Sequence, residues 1–148
     1  MSDLKLIALD DEDLSIIAAH LQDAVLRIED MAYLKAERRF AIVLNRFDWS
    51  EAAKAASTTK QFVRRRTGVR FEHVSSAQVQ GLDLTRKDQV LSLLTLTFEA
   101  GHEPPQGTIT LTFAGGGAVR LAVECIETAR TDLGAAWGTS RKPEHAND

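Results

Sequence analysis

Thr108 to Phe113 alternates threonine with Ile109, Leu111 and Phe113, and Ala118 to Glu124 repeats the alternation with Val119, Leu121 and Val123. A period of two puts the apolar side chains of each run on one face, the pattern of a half-buried strand. Gly115, Gly116 and Gly117 lie between the two runs. Glycine adopts positive φ without a Cβ clash, so the triplet can close the tight connection of a β-hairpin. A chain carrying this hairpin has to build an antiparallel sheet with one face on a core. Beyond it, Ile126, Ala129, Leu133, Ala136 and Trp137 recur at helical spacing, which predicts an amphipathic helix closing the sheet.

Upstream, Leu4 to Leu9 reads as a short edge strand running into Asp10-Asp11-Glu12-Asp13. The acidic run lacks the alternate ligands, turn glycine and closing glutamate of a calcium loop. A helix start explains it instead, with Asp10 as N-cap, Asp13 at the capping-box position, and Leu9 and Leu14 at the staple positions. Leu14, Ile17, Ala18, Leu21 and Val25 form the buried stripe of a helix predicted to run to about Val25. Met31 to Leu34 and Arg39 to Phe47 are predicted strands joined around Lys35 to Arg38. The second carries Phe40, Ile42 and Leu44 on one face and Ala41, Val43 and Phe47 on the other, as a central strand does. Asp48 to Glu51 leaves the sheet, and Glu51 to Thr59 is an alanine-rich polar connection expected to form a turn of helix or a flexible loop. Phe62 to about Val79 is one bent strand or two, with Gly68 marking a bulge or a close approach. A charged loop over Gly81 to Gln89, a strand over Val90 to Glu99 and a break at Gly101 to Gly107 lead into the hairpin.

A chain of 148 residues, 44% hydrophobic and 26% charged, has the balance of one soluble domain with a core of its own. That domain is expected over residues 1–137, followed by a polar, disordered tail over 138–148. Cys125 is the single cysteine, so no intramolecular disulfide can form, and its position suggests a small buried hydrophobe. The amino terminus lacks the basic and long apolar segments of a signal peptide. No apolar run approaches the roughly 20 residues that span a bilayer, so a cytoplasmic protein without a membrane partner is expected. A net charge of −3 argues against a generic binder of nucleic acid or anionic membranes.

The segments Ala36 to Trp49, Phe113 to Ile126 and Asp132 to Trp137 resemble a small alphaproteobacterial family defined as a domain of unknown function, and the resemblance covers Leu4 to His145. It implies a bacterial cytoplasmic protein and carries no catalytic residues across. Many antiparallel strands followed by a closing helix also look like a pleckstrin-homology-like barrel. The fold expected is therefore α+β: an N-terminal helix, a bent antiparallel sheet or partly open barrel of about six or seven strands, and a C-terminal helix packed on it. A flatter sheet with both helices on one face is the alternative.

The sharpest local anomaly is chemical. Lys60, Arg64, Arg65, Arg66 and Arg70 place five positive charges and no acid within eleven residues, leaving −8 for the rest of the chain. On a strand Arg64, Arg66 and Arg70 share a face, a basic stripe suited to an acidic protein, a phosphate backbone or a phosphorylated ligand. Phe71 has the opposite parity and belongs to the core. Arg46 and Trp49 stand at a strand end beside the alanine-rich loop and complete the candidate interaction surface of Arg46, Trp49, Arg64, Arg65, Arg66 and Arg70. Solvated or intramolecularly paired charge on an exposed or edge strand is the plainer account of the arginines. Gly115 to Gly117 lacks the Lys-Ser/Thr pair of a phosphate loop, and His20, His73, His102 and His145 show no metal-ligand spacing. No catalytic residue, metal or cofactor is assigned. The function expected is a non-enzymatic interaction module binding a protein partner, or a second copy of itself, through a sheet face or edge. A nucleic-acid or phosphorylated-ligand binder acting through Arg64 to Arg66 is the alternative, and a small-molecule enzyme the third reading.

Overall fold

A computed structural model describes residues 5–47, 63–134 and 137–138. Its elements in chain order are β1 (Lys5–Ala8), α1 (Asp11–Leu21), β2 (Val25–Arg27), β3 (Met31–Leu34), β4 (Arg39–Phe47), β5 (Val63–Phe71), β6 (Val74–Gln80), β7 (Val90–Ala100), β8 (Gly107–Phe113), β9 (Ala118–Val123), β10 (Thr128–Asp132) and β11 (Trp137–Gly138). Nine strands follow one another in the order β1-β10-β5-β4-β2-β7-β8-β9-β6; β3 also pairs with β4, and β11 with β5. Each pairing is antiparallel.

The hairpin forms as its pattern requires. Ile109, Leu111, Phe113, Val119, Leu121 and Val123 are all buried, and Gly115 and Gly116 take φ of +94° and +106° in the turn. Two features bend the sheet. In β7 the register shifts between Leu93 and Thr95, which moves the buried positions from Leu91 and Leu93 to Leu96; a bulge of this kind increases local twist. Between β5 and β6, His73 takes a φ of +60° and turns the chain out of the first half of the sheet. Val74 N–H then donates to the Arg38 carbonyl, and the Tyr33 hydroxyl donates to the Val74 carbonyl at 3.0 Å. Side chains from both halves and from α1 meet in one core that includes Leu14, Ile42, Phe71, Leu93 and Leu121.

Asp10 caps α1, its carboxylate accepting from the Asp13 N–H at 2.8 Å. Leu9 is exposed while Leu14 is buried, so the expected staple is not made. An Asp10→Ala variant is expected to lose about 1 kcal/mol of stability in urea unfolding; an unchanged midpoint would show that the cap contributes nothing. The helix ends four residues earlier than predicted, because Asp23 takes a φ of +69° and Leu93 exchanges backbone hydrogen bonds with Asp23 and Ala24. Val25 is thereby drawn into β2.

The larger correction is at the other end. The C-terminal helix predicted from Ile126 to Trp137 is absent: Thr128–Asp132 is β10 and Trp137–Gly138 is β11, so α1 is the one α-helix among the described residues. The apolar spacing of three and four was misleading because it ignored the other parity. Thr128 and Thr131 are β-branched, and β10 lies between β1 and β5, so both of its edges find ladder partners. The eleven-stranded open sheet replaces the expected six or seven strands between two helices. With no closing helix in this segment, both the pleckstrin-homology-like arrangement and the flatter sheet with two helices fail.

Smaller expectations also resolve. Register runs without a break through Gly68, so the glycine marks a close approach and not a bulge: a Cβ there would stand 3.4 Å from Leu133 Cδ1. Cys125 is half-buried. The alanine-rich connection, and all of the polar tail beyond Gly138, lie outside the described residues.

Candidate functional site

The two parities of β5 have opposite fates. Cross-strand register sets Phe71, Val69, Thr67 and Arg65 beside Phe40, Ile42, Leu44 and Arg46 of β4, and sets Phe71, Val69 and Thr67 beside Thr128, Arg130 and Asp132 of β10. Directly opposed residues point to the same face, so this inner face runs from aromatic to ionic. At one end the Phe40 and Phe71 rings meet with centroids 6.2 Å apart. At the other, Arg46 grips the Asp132 carboxylate with two hydrogen bonds, Nε to Oδ1 at 3.1 Å and Nη2 to Oδ2 at 3.0 Å.

Asp132 receives more than Arg46. The Thr67 hydroxyl donates to its Oδ1 at 2.9 Å, Arg130 Nη1 donates to the same oxygen at 3.1 Å, and Arg65 Nε lies 3.9 Å from Oδ2. Arg46, Arg130 and Asp132 are buried. Burial pushes the Asp132 carboxyl upward, but the hydrogen bonds from Arg46 and Thr67 and the charges of Arg46 and Arg130 outweigh it, leaving its pKa below the usual carboxylate range. The bidentate geometry and the hydroxyl are what make an ionised carboxylate tolerable there.

The other parity faces outward. Arg66 is exposed and makes no ion pair among the described residues. Arg70 has a side chain 43% exposed, with Nη1 3.8 Å from Glu72 Oε2. Glu72 also accepts from Arg39 Nε through both oxygens, at 3.1 and 3.0 Å. Between the two arginines, Gly68 is overlain by Leu133. Across β10, register brings Ile7 opposite Ala129 and Lys5 opposite Thr131. Ile7 is 52% and Leu133 49% exposed, so the outer face has an apolar centre between basic side chains.

The predicted surface is thus divided. Arg66 and Arg70 lie on the outer face and Arg64 shares their parity on β5, whereas Arg46 and Arg65 turn inward to Asp132. Trp49 is outside the described residues. Arg130, Asp132 and Thr67 were missed. Thr128, Arg130 and Asp132 alternate in the sequence, which is a strand signal, but it was submerged by the helical spacing of their apolar neighbours.

Other chemistry is sparse. His73 Nε2 lies 2.7 Å from Glu127 Oε1 at the surface, and His20 is in the last turn of α1. Among the described residues no group of three or more His, Cys, Asp or Glu side chains could hold a metal ion. A groove of about 500 Å³ lies between α1 and β7, and among the described residues that line it Asp11 alone is ionisable.

A family model for a protein of unknown function, DUF2948, matches residues 4–145. The chain belongs to the DUF2948 family. No curated protein and no solved structure matches this DUF2948 chain. Among its described residues no helix is long and apolar enough to cross a membrane.

Proposed function

We propose that this protein is a non-enzymatic cytoplasmic interaction module that binds an acidic protein partner through the outer face of β1, β10, β5 and β4. The observation that carries the reading is the arrangement of exposed Arg66 and half-exposed Arg70 around the apolar strip of Gly68, Leu133 and Ile7. Arginine flanking apolar surface is the composition of interface anchors, because a guanidinium pairs with carboxylates while the strip excludes water around the contact. The chain's overall charge of −3 makes this local excess of positive charge a directional feature, able to steer an acidic partner to one face.

The test is affinity capture from an extract of the cells that make the protein, with and without nuclease, comparing wild type with Arg66→Glu/Arg70→Glu. Both changes lie on the outer face, and a thermal melt establishes that the variant is folded. An acidic protein held by the wild type and at least about tenfold weaker on the variant is expected, since each interface arginine contributes on the order of 1 kcal/mol or more. Equal retention by both proteins would remove this face from consideration. Retention that vanishes with nuclease, and falls by orders of magnitude from low to moderate salt, would assign the arginines to a polyanion instead.

A further inference from the structure

The two ends of the strand order are not alike. β1 ends the sheet with four residues including Lys5, and Asp10, Asp11 and Glu12 follow closely; a short, charged edge resists pairing with another chain. β6 ends it with seven. Its first residue is already engaged, since Val74 binds Arg38 and Tyr33 through its backbone. From Ser76 to Gln80 the register with β9 is regular, the sequence Ser-Ala-Gln-Val-Gln has no charge, proline or glycine, and no described strand pairs with its far side. All five side chains except half-buried Ala77 are exposed, Val79 at 38%. One protective feature is present, a register shift between Val74 and Ser76, but it precedes the five residues; no charge or proline guards Ser76 to Gln80 themselves.

We propose that β6 is a homodimerisation edge, in which Ser76 to Gln80 pairs antiparallel with the same residues of a second copy about a two-fold axis at Gln78. Opposed residues in an antiparallel ladder share a face, so a two-fold through a residue preserves the two faces of the sheet. This register matches Val79 with the partner's Ala77 on the core side. On the other side Ser76 meets the partner's Gln80, and the two Gln78 amides meet each other, so the polar pairs can exchange hydrogen bonds. The strand suits a second copy because it brings no like charges together. Arg120 lies one strand further in, opposite Gln78, so two intervening strands would separate it from its counterpart by about 14 Å at the usual inter-strand spacing, beyond the screening length of about 8 to 10 Å. A two-fold pairing is closed and leaves no further edge to extend. It is independent of the basic outer face, which stays open on each copy.

Sedimentation equilibrium of the full chain over a wide concentration range tests the proposal with Gln78→Glu and Gln78→Lys. In the monomer Glu at position 78 would sit opposite Arg120, a favourable cross-strand pair, so that variant keeps its fold, and a thermal melt checks both. Wild type is expected to move with concentration from 16.3 kDa to twice that mass. Each variant alone would oppose two like charges on the two-fold and associate at least about tenfold more weakly, and an equimolar mixture of the two would recover the dimer. A wild type that stays monomeric overturns the proposal, as does a dimer unaffected by Gln78→Glu or a mixture that fails to recover. Arg66→Glu/Arg70→Glu should leave this equilibrium unchanged, so failure of the partner-binding reading and failure of this one are distinguishable.

Discussion

Asp132→Ala is expected to cost about 3 to 5 kcal/mol of folding stability, the range found when one member of a buried ion pair is removed. The loss would be a large share of the roughly 5 to 15 kcal/mol that holds a domain together. The carboxylate is not valuable because it attracts one arginine. It is the acceptor for Arg46, Arg130 and Thr67 together, with Arg65 close by, and without it Arg46 and Arg130 stay buried with a principal acceptor gone. Asp132→Asn keeps the shape and removes the charge, and separates the two contributions. Urea unfolding near neutral pH measures both; an Asp132→Ala protein within 1 kcal/mol of wild type would refute this account.

The same carboxylate predicts a direction with pH. Its pKa in the folded protein lies below the ordinary carboxylate value, so the unfolded chain binds the proton more readily than the native one. The stabilisation is therefore complete above the unfolded pKa of about 3.9 and is lost progressively as pH falls toward the lower native value. Wild type should accordingly lose more stability on acidification than Asp132→Asn, and the gap between them should narrow as pH falls. Parallel curves would show that Asp132 does not carry this part of the acid sensitivity.

Phe71→Ala is expected to have an effect of similar size, about 3 to 5 kcal/mol. Phe71 is fully buried, lies opposite Phe40 on β4 and Thr128 on β10, and is two residues from His73, where the chain turns into β6. Truncation would remove its ring contact with Phe40 and leave a cavity where the first half of the sheet passes into the second. Phe71→Leu fills much of that space and should retain more than half of the lost stability. If alanine and leucine behaved alike, the site would be collapsing freely and the cavity argument would be wrong. The two sites are at opposite ends of the same three strands, so their combined losses also test whether the aromatic and ionic ends behave independently.

Much of the chain was legible before folding because its signals are local. The N-cap at Asp10, β3 and β4 with their connecting turn, and the strand of β7 follow from period, turn residues and capping chemistry within a few positions. Phe71's parity separated it from the arginines of the outer face. The candidate site was only half legible for a related reason. Alternation divides Arg64, Arg66 and Arg70 from Arg65, but it does not say which parity meets a buried acid eighty-six residues from Arg46.

The hairpin of β8 and β9 follows from local residues, since six alternating apolar side chains and a glycine turn leave the backbone few other ways to bury that face. Tertiary structure alone decided the segment after it. Ile126 to Trp137 suits a helix by apolar spacing and a strand by the alternation of Thr128, Arg130 and Asp132, and local propensity does not separate the two. In a helix, residues two apart do not share a face; in β10, Arg130 and Asp132 do, between β1 and β5 and within reach of Arg46 and Thr67. Ladder hydrogen bonds on both edges and the pairing of a buried carboxylate exist only once distant strands are in place, and they decide for the strand.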